Sequence, residues 1–171
     1  GDADAFELTS GATFTCNNTY ILDKKIYIPA GQVLSIAPGT LIKGAAAATQ
    51  ADQTALVVER GGKIIAAGTE SCPIVFTANE DPMDGTYSVT NIGKWGGVVI
   101  LGKASNNLVA ANTPQTFGSK VGMGVGLGLI EGFNNTGAHN RYGVLQSGSV
   151  AGETVGSFDD NDNSGVMKYV S

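Results

Sequence analysis

Oxygen-bearing side chains are concentrated near the end of the chain, in the run Asp159-Asp160-Asn161-Asp162-Asn163-Ser164-Gly165. Asp160, Asp162 and Ser164 place oxygen ligands on alternate residues before a turn glycine, as calcium-binding loops do. The glutamate that completes an EF-hand is absent, because Ser171 stands at the corresponding position. Asp and Asn also favour tight turns, since their side chains bond to nearby backbone. The run is therefore interpreted either as a calcium loop or as a turn that leads into a strand.

Groups suited to acid–base catalysis are few and scattered. Enzymes that cleave polysaccharides need acidic and basic side chains clustered on one face, with carboxylates at defined separations. The two arginines, Arg60 and Arg141, are far apart in sequence, and no carboxylate that would orient His139 is identifiable. Trp95 could stack on a sugar, but its place before two glycines favours a core position. We therefore expect no catalytic residues and a solvated His139.

The two cysteines, Cys16 and Cys72, belong to no CxxC pair, and His139 has no Cys or His near it in sequence. This argues against a structural zinc site, which needs four nitrogen or sulfur ligands. Two buried thiols or one disulfide remain. Scarce charge and abundant Asn, Thr and Gly favour a Cys16–Cys72 disulfide, and with it an oxidising compartment.

Length and composition narrow the class of protein. The chain has 171 residues, of which 25 are glycine, 42% are hydrophobic and only 15% are charged, which argues against helix bundles and coiled coils. A net charge of −5 argues against a nucleic-acid partner. Apolar runs such as 98–101 are too short to cross a bilayer. Because residues 1–4 are polar, we expect a secretion signal to have been removed already.

A repeat of about thirty residues organises the first half of the chain, relating residues 26–40 to 56–69. Alternate apolar residues correspond between the two copies, and a glycine separates the two apolar pairs in each: Ile26, Ile28, Gly31, Leu34 and Ile36 match Leu56, Val58, Gly61, Ile64 and Ala66. Such alternation, punctuated by Gly and Pro-Gly, predicts short strands separated by turns.

Strands that recur at this period predict stacked coils that share one apolar core, since a single coil cannot cover its own inner face. A hairpin meander would need Asn-Gly or Asp-Gly turns, and the one such dipeptide, at 84–85, lies in a polar loop. We predict an all-β fold, a right-handed parallel β-helix with polar insertions at about 79–93, 103–120 and 133–163. Later coil strands are expected near 95–102, 126–132 and 165–170.

The whole chain, 1–171, is expected to be one domain, with residues 1–18 as an amino-terminal capping segment. The last strand ends without a polar cap, so its backbone edge and apolar cross-section would be open. We expect this end to continue into further coils or to meet another molecule, such as a second copy.

Several motifs occur in a characteristic order along the chain. They include Cys-Pro-Ile-Val-Phe-Thr at 72–77, Trp-Gly-Gly-Val-Val-Ile-Leu-Gly at 95–102 and Asp-Asn-Ser-Gly-Val-Met-Lys-Tyr-Val-Ser at 162–171, with further matches at 19–22, 34–44, 55–69 and 130–132. Together they resemble the secreted or surface-exposed parallel β-helix proteins of Bacteroidetes-type bacteria, many of which use type IX secretion. The resemblance implies a β-helix fold and an extracellular or cell-surface location.

The function expected first is that of a non-catalytic extracellular structural module, self-assembling end to end into a fibre or forming part of a larger surface protein. The alternative is an adhesin-like module whose long loops bind glycans. A polysaccharide lyase or hydrolase fragment is the third hypothesis. No cofactor is expected apart from calcium at Asp160, Asp162 and Ser164.

Overall fold

The computed structural model describes residues 5–49, 52–106, 108, 126–130 and 138–171. These residues form thirteen short strands and one 3₁₀ turn, Ala138–Asn140. The strands are β1 (Ala5–Glu7), β2 (Ala12–Phe14), β3 (Thr19–Leu22), β4 (Lys25–Ile28), β5 (Val33–Ile36), β6 (Leu41–Gly44), β7 (Ala55–Val58), β8 (Lys63–Ala67), β9 (Val75–Ala78), β10 (Val98–Ile100), β11 (Leu127–Leu129), β12 (Arg141–Gly143) and β13 (Gly165–Lys168). Within this part of the chain no helix has the length and hydrophobicity to span a membrane.

The strands wind into stacked coils, and strands at the same position in successive coils pair in parallel. The first sheet has the order β1-β4-β7-β10, the second β2-β5-β8-β13, and the third β3-β6-β9. Coil 1 is therefore β1–β3, coil 2 is β4–β6, coil 3 is β7–β9, and coil 4 contains β10 and β13. The predicted all-β, right-handed parallel β-helix is confirmed.

The register of the coils is the one that the repeat predicts. Ile26 pairs with Leu56 and Ile28 with Val58 between β4 and β7, while β5 pairs with β8 in the same way through Leu34 and Ile64. Alternate residues point into the coil, where their stacked aliphatic side chains form one core. Its fully buried members are Ile28, Leu34, Ile42, Leu56, Val58, Ile64, Ala66 and Ile74.

Glycines turn the chain at the corners that the repeat marks. Gly31 and Gly61 have φ angles of 79° and 80°, which an L-residue adopts only with strain. The backbone amide of Gly31 donates to the carbonyl of Gly61 over 2.9 Å, so these corners also stack.

Part of the segment 1–18 that we expected to act as a cap contributes strands to coil 1. β1 and β2 pair in parallel with β4 and β5, in the same sheets as the later coils. The inward side chains of Ala12 and Phe14 therefore pack against the core.

Coil 4 is interrupted by residues 101–164, the insertion. β10 extends the first sheet and β13 the second, while Val170 bridges to Ile74 beside the third. The coil strand expected near 126–132 was predicted wrongly, because β11 pairs antiparallel with β12 inside the insertion. Gly128 allows this pairing, since a Cβ at that position would lie 2.5 Å from the Tyr142 ring.

The insertion covers the outer face of the first sheet. There, outward side chains of coils 2 and 3 form a second buried cluster, Tyr27, Ala55 and Val57 with Leu101, under Val99, Ile130 and Tyr142. Parts of the polar insertions expected at 103–120 and 133–163, namely 107, 109–120 and 133–137, lie outside the described residues. The described part of the insertion packs on the β-helix and thereby forms one wall of a cleft.

Candidate functional site

A cleft of about 440 Å³ lies between the corner that ends β7 and the insertion. Its volume is in the range of small-molecule sites, about 300–1,000 Å³. Coil 3 contributes Glu59 and Arg60, which follow β7 directly, and the insertion contributes the facing wall. The charged and polar lining comprises Glu59, Arg60, Lys103, His139, Glu153, Thr154 and Ser157.

His139 lies between two carboxylates. Its Nδ1 is 2.7 Å from Oε1 of Glu59, and its Nε2 is 3.2 Å from Oε1 of Glu7 at the end of β1. The interpretation of His139 as a solvated loop residue without an orienting carboxylate is therefore wrong. No sequence pattern indicates these contacts, because Glu59 lies 80 residues before His139.

The 3₁₀ turn that carries His139 is anchored in the buried outer face of the first sheet. The Tyr27 phenol on β4 donates to Oδ1 of Asn140 over 2.9 Å, and both residues are buried. The Tyr27 ring also contacts the imidazole of His139, with centroids 5.1 Å apart. Coils 1, 2 and 3 thus each contact this turn, through Glu7, Tyr27 and Glu59.

Burial raises the pKa of Glu59 above its usual value, and it outweighs the opposing hydrogen bond from His139. The Glu59 side chain is only 16% exposed. A buried carboxylate is costly when it is charged and unpaired, so its state depends on the proton of His139.

A second charged cluster joins the corner of coil 3 to the insertion. Arg60 binds Glu153 with both guanidinium nitrogens, at 2.9 and 2.7 Å, and Arg141 donates to the same carboxylate over 3.1 Å. Burial alone would raise the pKa of Glu153, but the hydrogen bonds and charges of Arg60 and Arg141 outweigh it and lower the pKa. The Glu153 carboxylate thereby holds two arginines in place.

Lys103 is the cation of the cleft whose ammonium group makes no hydrogen bond or ion pair among the described residues. Its Nζ lies 3.0 Å from the position that a Cβ on Gly61 would occupy, over the corner of coil 3. Its backbone is held by the acidic run: the Lys103 amide donates to Asp162, and the Asp159 amide donates to the Lys103 carbonyl.

The acidic run at 159–165 holds the start of the insertion by backbone hydrogen bonds. Oδ1 of Asp160 accepts from the Ser105 amide over 2.7 Å, and Oδ2 of Asp162 accepts from the Lys103 amide over 3.0 Å. Hydrogen bonds from Ser105 lower the pKa of Asp160. No three Asp, Glu, His or Cys side chains converge as metal ligands in the described ranges. The turn interpretation explains these contacts, and calcium at Asp160, Asp162 and Ser164 stays a prediction.

The cysteine thiols are free and exposed, so the disulfide predicted between Cys16 and Cys72 is not formed in the structure. The two residues stand on either side of Gly39. A Cβ on Gly39 would lie 3.6 Å from the Cβ of Cys16 and 3.7 Å from that of Cys72. The cysteines therefore belong to coils 1 and 3, and Gly39 of coil 2 lies between them at this corner.

Trp95 packs against the helix core, as its sequence context favoured over sugar stacking. Its ring fills the space beside Gly44, where a Cβ would lie 2.3 Å from the ring. It is therefore not part of the cleft.

A family model described as "pectate-lyase like beta helix domain" matches residues 6–125, and the chain belongs to this family. The matched segment contains coils 1 to 3 and β10. It includes Glu7, Glu59, Arg60 and Lys103, whereas His139, Arg141 and Glu153 follow it. No curated protein and no solved structure matches the chain.

The two copies of the repeat differ at the corner that lines the cleft. Where coil 2 has Pro29-Ala30 before its turn glycine, coil 3 has Glu59-Arg60. A charged pair at a corner that is apolar in the preceding copy marks a position with a role beyond turning the chain.

Proposed function

We propose that the protein is an extracellular β-helix module that binds an acidic glycan in the cleft without cleaving it. The observation that carries this proposal is the cleft itself, where Lys103 offers an ammonium group with no partner among the described residues, beside a dense set of polar groups. In a chain with a net charge of −5, the cleft is a place where cations balance the carboxylates. An ammonium group in such a setting binds a carboxylate or sulfate as a point charge.

The pairing within the cleft supports binding rather than turnover. Glu153 is bound by two arginines and His139 by two glutamates, so these groups are held by one another. A catalytic acid or base must instead reach a proton of the substrate. The family's name refers to a lyase, and a test of binding must therefore also test cleavage.

Affinity electrophoresis tests the proposal with polygalacturonate as the acidic probe and unsubstituted galactan as the neutral one. We expect polygalacturonate in a native gel to retard the protein and galactan to leave its mobility unchanged. Lys103→Met should abolish the retardation, because it removes the unpaired cation. Lys63→Met is the matched control, since Lys63 is an exposed lysine of β8 outside the cleft.

Equal mobility in all gels, or equal loss in the two lysine variants, would overturn binding in the cleft. The size of polygalacturonate after incubation provides the second readout. Chains of unchanged length support a binding module, whereas shortened chains show that the cleft is catalytic.

A second role, association with a further β-coil, is favoured by the surface of coil 4. β10 and β13 each have a neighbouring strand on one side only among the described residues. Apolar side chains aligned with the core are exposed there, Met167 and Val170 at 37% each. We propose that this surface packs against another coil, either in a larger surface protein or in a second copy.

Sedimentation velocity and negative-stain microscopy across micromolar concentrations test the version with a second copy. Rods that lengthen with concentration in the wild-type protein, and that Met167→Lys does not form, support it. A monomer throughout overturns assembly between copies.

A further inference from the structure

His139 is the one histidine in the chain, and both of its ring nitrogens face a carboxylate. An imidazole ring donates hydrogen bonds from both nitrogens only when it is protonated. With Glu59 on Nδ1 and Glu7 on Nε2, the imidazole can donate to both carboxylates only in its doubly protonated form.

We propose that Glu7, His139 and Glu59 form a pH-dependent clamp that fastens the cleft wall to coils 1 and 3 and strengthens ligand binding below neutral pH. This regulation rests on the proposed binding function. The clamp acts on the 3₁₀ turn Ala138–Asn140, which carries one lining residue of the cleft and leads into β12.

Loss of a proton removes the attraction at one of the two contacts. Neutral imidazole keeps one N–H, and the other nitrogen then directs a lone pair at a carboxylate. The contact with Glu59 is the shorter, at 2.7 Å, and its carboxylate is the more buried, so Nδ1 keeps the hydrogen. The contact with Glu7, at 3.2 Å and with a side chain 49% exposed, is the one that opens because water can replace it.

The other charged and titratable groups around the turn do not replace the lost bond. Arg60 adjoins Glu59, but its guanidinium group is bound to Glu153, as is that of Arg141. The Tyr27 phenol is directed at Asn140. Lys103 also lines the cleft, and neither it nor any other described cation bonds to Glu7 or Glu59.

Nitrogen NMR of the labelled imidazole tests the clamp without a ligand, because a single histidine gives a single pair of ring signals. A histidine ordinarily changes charge between about pH 5 and 8. We expect both nitrogens to be protonated at the acid end and Nδ1 alone at the alkaline end. The Nε2–H tautomer at the alkaline end would overturn the proposed clamp.

Binding of an oligogalacturonide, measured by calorimetry at the two ends of this pH range, tests the effect on the cleft. We expect binding about fivefold to tenfold weaker at the alkaline end, in line with the loss of one charged hydrogen bond. Glu7→Gln should remove most of this pH dependence, because amide and imidazole bond without a charge. Glu70→Gln, at an exposed glutamate outside the cleft, should keep it.

The outcomes separate the two proposals. Binding that is equal at both ends overturns the clamp and leaves the binding function standing. Absence of binding at every pH overturns the binding function, and the NMR result still decides whether the clamp exists.

Discussion

The phenol of Tyr27 and the side-chain carbonyl of Asn140 form a buried hydrogen bond that joins coil 2 to the insertion, 113 residues further along the chain. Tyr27 lies on the outward face of β4, where an aromatic residue would be exposed in a bare β-helix. The insertion buries it, and the hydrogen bond then orients the turn that carries His139. The second buried cluster is therefore the support on which the cleft is built.

Tyr27→Phe should lower the free energy of unfolding by about 1–2 kcal/mol, because it removes a donor from a buried acceptor. Tyr87→Phe is the matched control: the Tyr87 hydroxyl is buried and has no hydrogen-bond partner among the described residues. Its removal should leave stability unchanged or raise it. Urea denaturation measures both variants, and equal losses would contradict the importance of the Tyr27 bond.

Glu153→Gln should destabilise the protein by about 3 kcal/mol, since it leaves Arg60 and the nearly buried Arg141 without their anion. Glu80→Gln provides the contrast. Glu80 pairs with Lys94 at 3.2 Å, but both side chains are well exposed, so its loss should cost about 0.5 kcal/mol or less. Chemical denaturation at neutral pH should separate the two variants clearly, and similar losses would show that the buried cluster is not structural.

The pKa of Glu153 is lowered in the folded protein, so its contribution to stability is present above the pKa of the unfolded chain and is lost as pH falls through the folded value. Protonation of Glu153 should therefore contribute to the acid unfolding of the wild-type protein. Glu153→Gln should show a weaker dependence of stability on pH on the acid side. Denaturation curves in steps from neutral to acid pH provide the measurement, and parallel pH profiles would contradict the assignment.

The pKa of Glu59 is raised in the folded protein, so its contribution to stability changes with pH in the opposite direction to that of Glu153. Its contribution is present below the pKa of the unfolded chain and is lost as pH rises through the folded value. Glu59→Gln is neutral at every pH, so it should gain stability relative to wild type as pH rises through the folded pKa of Glu59. The gain should be about 1 kcal/mol. Denaturation curves in steps from acid to neutral pH measure it, and parallel stability profiles for the two proteins would contradict the assignment.

Gly44→Ala should cost about 1–3 kcal/mol, because a methyl group there would overlap the Trp95 ring. Gly11→Ala is the control, since a Cβ at Gly11 meets only a backbone oxygen at 3.4 Å. Trp95 is the single tryptophan, so its fluorescence reports the local displacement as well as unfolding. Unchanged emission in Gly44→Ala would contradict the packing.

The repeat in the first half of the chain was sufficient to predict the register of coils 2 and 3. Strand alternation places Ile28 and Val58 inside, and the corner glycines Gly31 and Gly61 align the copies, so the information is local and recurs after thirty residues. The prediction of a coil strand near 126–132 was wrong because nothing in the sequence of this segment specifies which strand it pairs with. Its antiparallel partner β12 comes from the same insertion, outside the repeat.

The amino-acid sequence alone determined the class of fold, the inward and outward faces of the coils and the corners where the chain turns. Each of these depends on neighbours a few residues apart or on a regular period. The cleft depended on tertiary structure. Two of its charged contacts, Glu59 with His139 and Arg60 with Glu153, join residues 80 and 93 positions apart, and they exist because the insertion folds back on the first sheet. A side chain's pairing and burial are properties of that packing, so no local pattern of residues could reveal them.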